Sequence, residues 1–172
     1  HLLCNCGQAG QRRRHDYRFR SIGSSEERLA AGRAFGDQRF LLLTRHGREA
    51  LAGFEGDLAV LFGDTPLIRP ETVEAMFAKR AEKGGIVALG FEAANPTGYG
   101  RLVRGGDDVI ERIVEEKDAN AAERALTLCN SGVLVADAKV LFQLLSMVKN
   151  ENAKGEYYLT DIVGLGRSAG FR

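Results

Sequence analysis

Tryptophan is absent from the 172 residues, and cysteine and proline occur only three times each. So small and odd a cysteine count excludes a disulfide framework and points to a reducing compartment. Long apolar runs are missing too. None approaches the roughly 20 residues that a membrane-spanning helix needs, and no signal peptide is visible at the start. Nor is there an excess of either charge: 24 Lys+Arg against 23 Asp+Glu leave a net of +1. That balance gives no general reason to expect nucleic acid or an anionic membrane as partner. What is present, 44% hydrophobic residues in a length suited to one ordinary domain, predicts a globular cytoplasmic chain with a real core.

Lysine is lacking from one region only. The first is Lys79, and residues 1–48 hold ten Arg against Asp16, Glu26, Glu27 and Asp37, a net of +6. Residues 49–172 carry a net of −5. Arg12-Arg13-Arg14 has little aromatic interleaving beyond Tyr17 and Phe19, so a solvated segment is expected there, not a nucleic-acid arm. The chain opens on His1, and the composition breaks near Arg48. A reading-frame error upstream would account for both, and residues 1–47 are expected to be an atypical segment foreign to the fold. Cys4 and Cys6, one residue apart, with His1 lack the usual spacing of a zinc site.

Residues 1–20 show no sustained period and are expected to be irregular. Ser24 and Glu27 have capping-box spacing, which predicts a short helix to about Phe35; Phe40 to Leu43 reads as a strand or a helix fragment. From Gly56 the signals sharpen. The run Leu58 to Phe62 predicts a strand buried on both faces. Pro70 suits a first helical turn, Val73, Met76 and Phe77 share a face, and Gly84-Gly85 ends the helix. Ile86 to Leu89, Leu102-Val103, Val109 to Val114 and Val133 to Val135 read as further strands, and Val140 to Val148 follows helical spacing. Alternating strands and helices predict an α/β, Rossmann-like fold: an open, mostly parallel sheet with helices on both faces. Ligands in such sheets bind beyond the carboxyl ends of the strands.

Five segments at those ends could carry chemistry. In Gly63-Asp64-Thr65-Pro66-Leu67, Asp64 either anchors a divalent cation or starts a turn. Asn95 to Arg101 places Tyr99 beside Gly100, a turn whose exposed amides could meet a sugar or base. Glu115, within Ile113 to Ala119, can accept from adjacent hydroxyls, and Asn130, within Cys129-Asn130-Ser131-Gly132, offers both donor and acceptor. Both segments could equally be solvated loops. Tyr158 and Thr160, within Gly155 to Asp161, either line a pocket or open a capped helix. Cys129 reads as a small apolar filler, and His15 and His46 have no catalytic partner at a recognisable spacing.

In this order and spacing the five segments resemble the nucleotidyltransferase domain of the bacterial bifunctional N-acetylglucosamine-1-phosphate uridyltransferase/glucosamine-1-phosphate acetyltransferase family. The resemblance runs from about Arg48 to Arg172, 125 of 172 residues. It implies a truncated nucleotide-diphospho-sugar transferase fold, and uridylyl transfer from UTP to N-acetylglucosamine 1-phosphate in cell-envelope precursor synthesis, with Mg²⁺ as cofactor and UDP-N-acetylglucosamine as product. By the resemblance Asp64 binds the metal, with Phe62 and Gly63 beside the nucleotide. Gly100, preceded by Tyr99, contacts the sugar through its backbone. Glu115 and Asn130 hold the N-acetylglucosamine moiety, and Tyr158 and Thr160 line the pocket. No protein nucleophile, and so no catalytic side chain, is implied.

The family also opens with a strand and a Gly-rich loop, Leu-x-x-Gly-x-Gly-Thr-x-Met, followed by a Lys, which cradles the triphosphate. No segment of residues 1–48 matches it, and the elements that read uracil are missing. The residue completing the family's metal site, and the acetyltransferase domain that builds its oligomer, would lie beyond Arg172. The expectation is therefore little or no transferase activity from these 172 residues, and a sheet weakened by loss of its first strand. Two alternatives remain: another sugar-1-phosphate nucleotidyltransferase, or a non-catalytic remnant that binds a sugar nucleotide.

Overall fold

In the computed structural model, residues 2–5, 17–20, 47–62, 67–106 and 109–171 are described. The long strand β7 (Leu128–Asp137) organises the sheet. On one side it pairs with β4 (Val87–Glu92); on the other it pairs first with β3 (Asp57–Val60) and then, at Cys129, with β5 (Arg101–Arg104). Strand β6 (Ile110–Val114) continues outward as the hairpin partner of β5, with Gly105 N–H donating to Val109 O at 2.8 Å across the turn. At the other edge β1 (Leu2–Asn5) pairs with β3, and β2 (Tyr17–Arg20) pairs with β1.

Side chains alternate between the two faces, as the pleat requires. Ala59, Val133 and Val135 pack with Val73, Met76 and Phe77 of helix α2 (Pro70–Lys83). Leu58, Val60, Leu134 and Ala136 face the opposite way. They pack with Leu141, Leu144 and Leu145 of α4 (Ala138–Leu145) and with Ile162 and Val163 of α5 (Asp161–Ser168). Burying each such aliphatic side chain contributes about 1.5–3 kcal/mol, and this second core is the larger. Helices cover both faces, as the α/β reading expects. Two short helices, α1 (Arg48–Ala50) and α3 (Ala121–Arg124), complete the described elements.

Helix ends follow their chemistry. Pro70 occupies the first turn of α2, and Gly84, at φ 71°, closes it by donating to Arg80 O at 2.8 Å. Asp137 Oδ1 accepts from Val140 N–H at 2.9 Å to start α4. Asn120 and Glu123 form a reciprocal capping box around α3.

Three expectations are corrected. Each strand pair of the described sheet is antiparallel, so the sheet is not mostly parallel. The cause is β7, which runs against β3, β4 and β5 and separates β3 from β4; these two run in the same direction without touching. Residues 2–5 and 17–20 are strands, not irregular backbone, and β1 supplies partners to the main-chain groups of β3 on the edge away from β7. Residues 128–132 belong to β7, not to a loop before it. The expected helix at 24–35 and the run 40–43 lie outside the described residues. Among the described residues no helix is long and apolar enough to cross a membrane.

Candidate functional site

The irregularity in β7 is where the site begins. Register against β4 shifts between Ala88 and Gly90, so β7 carries extra residues at 131–133. Gly132 takes φ 82°, a left-handed conformation that Gly adopts without strain. Neighbouring side chains meet the polar groups freed there: Ser131 Oγ donates to Leu89 O at 2.8 Å and accepts from Val133 N–H at 3.2 Å. Asn130 Oδ1 accepts from Gly132 N–H at 3.1 Å, which leaves the Asn130 NH₂ as the end free to donate. A Cβ on residue 132 would run into the Phe62 ring.

From Asn130 the contacts continue to the next strands. Asn130 N–H donates to Gly100 O at 2.8 Å. Gly100 is buried, and a Cβ there would stand 3.4 Å from both carboxylate oxygens of Glu115. Glu115 follows the last residue of β6, and its Oε1 accepts from Thr160 Oγ1 at 3.1 Å. Phe62, Gly132, Asn130, Gly100, Glu115 and Thr160 thus form one connected series across the ends of β3, β5, β6 and β7 and the start of α5.

Electrostatics add a second layer. Burial pushes the Glu115 carboxyl above its usual range, aided by Asp118 and Glu156 and opposed by the Thr160 hydrogen bond and Lys154. Burial, with Glu115 and Asp118, lifts Asp161 to about 6. The Tyr158 hydroxyl is buried without a hydrogen-bond partner among the described residues. Burial first, then Asp118, Glu156, Glu115 and Asp161, push it up to about 12, so it remains a protonated donor at neutral pH. A half-buried carboxylate, an amide NH₂ and a phenol O–H are complementary to a ligand with several hydroxyl and carbonyl groups. A groove of about 470 Å³ is lined by Thr160 and Asp161 together with Arg112 and Met147, but Glu115 and Asn130 do not line it.

Not all nine expected site residues gather. Gly63 and Asp64 lie outside the described residues. Tyr99 is exposed and turned edge-on to Phe91, ring centroids 5.0 Å apart, so its ring takes no part in the series. Among the described residues no group of three or more His, Cys, Asp and Glu side chains is arranged to hold a metal ion. Gly132, Asp118 and Asp161 were within or beside the segments singled out in the sequence but not among the nine. Gly132 was the most legible of them, a Gly two residues past Asn130.

The chain is 58% identical over 124 residues to the bifunctional protein GlmU of Dinoroseobacter shibae, covering 72% of this chain and 27% of that protein. To the GlmU of Ruegeria sp. it is 50% identical over 145 residues, 84% of this chain and 30% of that protein. The chain is a homologue of the GlmU proteins. It spans between 26% and 30% of the length of these curated GlmU relatives. Among solved structures, UDP-glucose pyrophosphorylase complexed with UDP-glucose superposes with a TM-score of 0.57 at 20% identity, covering 80% of this chain and 52% of that one. That likeness shows a nucleotide-diphospho-sugar transferase fold, consistent with the GlmU relationship. No family model matches the chain.

Proposed function

We propose that this chain carries the sugar-binding part of a uridylyltransferase site, for the reaction of UTP with N-acetylglucosamine 1-phosphate. The observation that carries the reading is the contact series Gly100–Asn130 and Gly100–Glu115–Thr160, found in a chain 58% identical to a GlmU protein. In this reading Glu115 accepts from sugar hydroxyls, the Asn130 NH₂ and Tyr158 O–H donate to sugar or acetamido oxygens, and the Gly100 backbone closes the floor. Thr160 holds the Glu115 carboxylate in its orientation. Phe62, with Gly63, would lie beside the nucleotide.

The transfer needs no protein nucleophile. A phosphate oxygen of the sugar phosphate attacks the α-phosphorus of UTP in line, and the bond to the β-phosphate oxygen breaks with its electrons leaving on pyrophosphate. Mg²⁺, when bound, would supply positive charge that offsets the repulsion between the two anions. Asp64 is the residue proposed to hold it.

A second reading has its own support. Residues 1–48 contain no Gly-rich triphosphate loop of the family type, which favours a chain that binds the sugar nucleotide without turning over. Calorimetry with UDP-N-acetylglucosamine and Mg²⁺, beside a coupled pyrophosphate-release assay, separates the two. Binding with turnover supports the transferase, and binding without turnover supports the remnant. Tighter binding of UDP-glucose would point to another sugar-1-phosphate nucleotidyltransferase, and no binding of either compound rejects the sugar site.

A further inference from the structure

Arg101 is 1% exposed, the single buried charged side chain among the described residues. A guanidinium is strongly disfavoured out of water unless its donors and its charge are met. Here they are met by main chain from three places. Arg101 Nε donates to Leu126 O at 3.0 Å, Nη2 donates to Arg124 O at 3.3 Å, and Nη1 donates to Tyr99 O. The same Nη1 lies 3.8 Å from Glu116 Oε2, which also accepts the Gly98 N–H. Arg124 Nε in turn donates to Glu116 O at 3.2 Å.

These contacts tie three stretches together at one point: the turn 96–100, the turn 115–118 and the end of α3 at 124–126. The first carries Gly100 and the second carries Glu115. Gly98, at φ 90°, sits in open space with nothing near its absent Cβ, and the packing in that turn is the edge-on contact of Tyr99 with Phe91. Its polar anchors from outside the turn are the Glu116 carboxylate on Gly98 N–H, the Arg101 guanidinium on Tyr99 O and the Asn130 N–H on Gly100 O.

We propose that Arg101, together with Glu116, is the positioning residue of the sugar site, a clip that sets the Gly100 backbone against the Glu115 carboxylate before any ligand arrives. The proposal rests on reading Gly100, Glu115 and Asn130 as sugar-binding. A pocket ordered in advance spares the ligand the cost of ordering it. Lysine cannot replace this arginine, because one ammonium group cannot reach three carbonyls that the planar fork meets at once.

The test uses the full chain and the variants Arg101→Lys and Glu116→Gln, with two readouts: amide hydrogen exchange without ligand, and affinity for UDP-N-acetylglucosamine by calorimetry. Both variants should exchange the Gly98 and Asn130 amides at least about tenfold faster and lose about tenfold in affinity, while the β3 and α2 amides keep their protection. Val73→Ala, which loosens the core on the other face, provides the control: it should lower global stability without selective change at Gly98 and Asn130. Wild-type protection of those two amides in both variants would overturn the proposal. So would losses that merely track global stability as in Val73→Ala. If Arg101→Lys does not fold, Glu116→Gln, which leaves the three carbonyl contacts intact, decides. If the wild type itself binds no sugar nucleotide, the sugar reading fails, and exchange alone still decides whether the clip exists.

Discussion

The two ends of the proposed site are built differently. At the ends of β5, β6 and β7, polar groups hold one another: Asn130 on Gly100, Gly100 against Glu115, Thr160 on Glu115, and Arg101 with Glu116 behind them. At the end of β3 the described chain offers Phe62 packed over Gly132, and the expected metal ligand Asp64, two positions on in the sequence, is outside the described residues. The proposed sugar side is therefore assembled from contacts among residues 98–160, whereas the phosphate side that the family resemblance implies depends on a Gly-rich loop that residues 1–48 do not spell. Recognition of the sugar and transfer of the uridylyl group need not stand or fall together.

The largest expected effect falls on the phosphate side. With UTP, Mg²⁺ and N-acetylglucosamine 1-phosphate, pyrophosphate release by this chain should run at least about a hundredfold slower than in a full-length relative, because loop donors to developing phosphate charge are worth that much or more. Turnover near the relative's rate would erase the contrast. On the sugar side, Glu115→Ala should weaken UDP-N-acetylglucosamine binding about 10–100-fold, the range for a lost hydrogen bond to a charged group. Calorimetry reads it directly, and an unchanged affinity would remove Glu115 from the site.

Where the two ends meet, Gly132→Ala should destabilise the fold by about 1–3 kcal/mol, since alanine at φ 82° is strained and its Cβ displaces the Phe62 ring. Chemical denaturation measures this, and a neutral result would show that β7 can straighten there. The smallest effect concerns Asp161. Its carboxyl titrates near 3.8 when unfolded and about 6 when folded. Below pH 3.8 it is protonated in both states and costs nothing. Between these values the unfolded chain releases its proton first, so stability falls as pH rises, and above about 6 the full penalty stands. Asp161→Asn should therefore stabilise the chain by on the order of 1 kcal/mol at pH 7 and not at pH 3.5. Denaturation midpoints across that range would show it, and a gain independent of pH would assign the effect to something other than charge burial.

How much of this was legible varies element by element. Helix α2 could be read almost to the residue, because Pro70, the spacing of Val73, Met76 and Phe77, and Gly84 all point the same way. Strand β7 could be read only at Val133 to Val135, since Asn130-Ser131-Gly132 looks like a turn until Ser131 and Asn130 are seen meeting the bulge's own backbone groups. Strand direction was not legible at all: a continuous apolar run reports burial on both faces, not which way its neighbours point. Gly100, Glu115, Asn130 and Thr160 stood out in segments beside the expected strands, each with a plain turn or loop as its alternative, and the family resemblance then implied their roles though not their contacts. Arg101 carried no signal, because its acceptors at Arg124 and Leu126 are 23 and 25 residues away.

The most direct measurement is an amide chemical-shift titration of the ¹⁵N-labelled chain with UDP-N-acetylglucosamine. The account predicts saturable shifts concentrated at Gly98 to Arg101, Glu115, Asn130 to Gly132 and Tyr158 to Asp161, with α2 quiet. Shifts centred on α2 or scattered over both faces, or none at millimolar ligand, would contradict it.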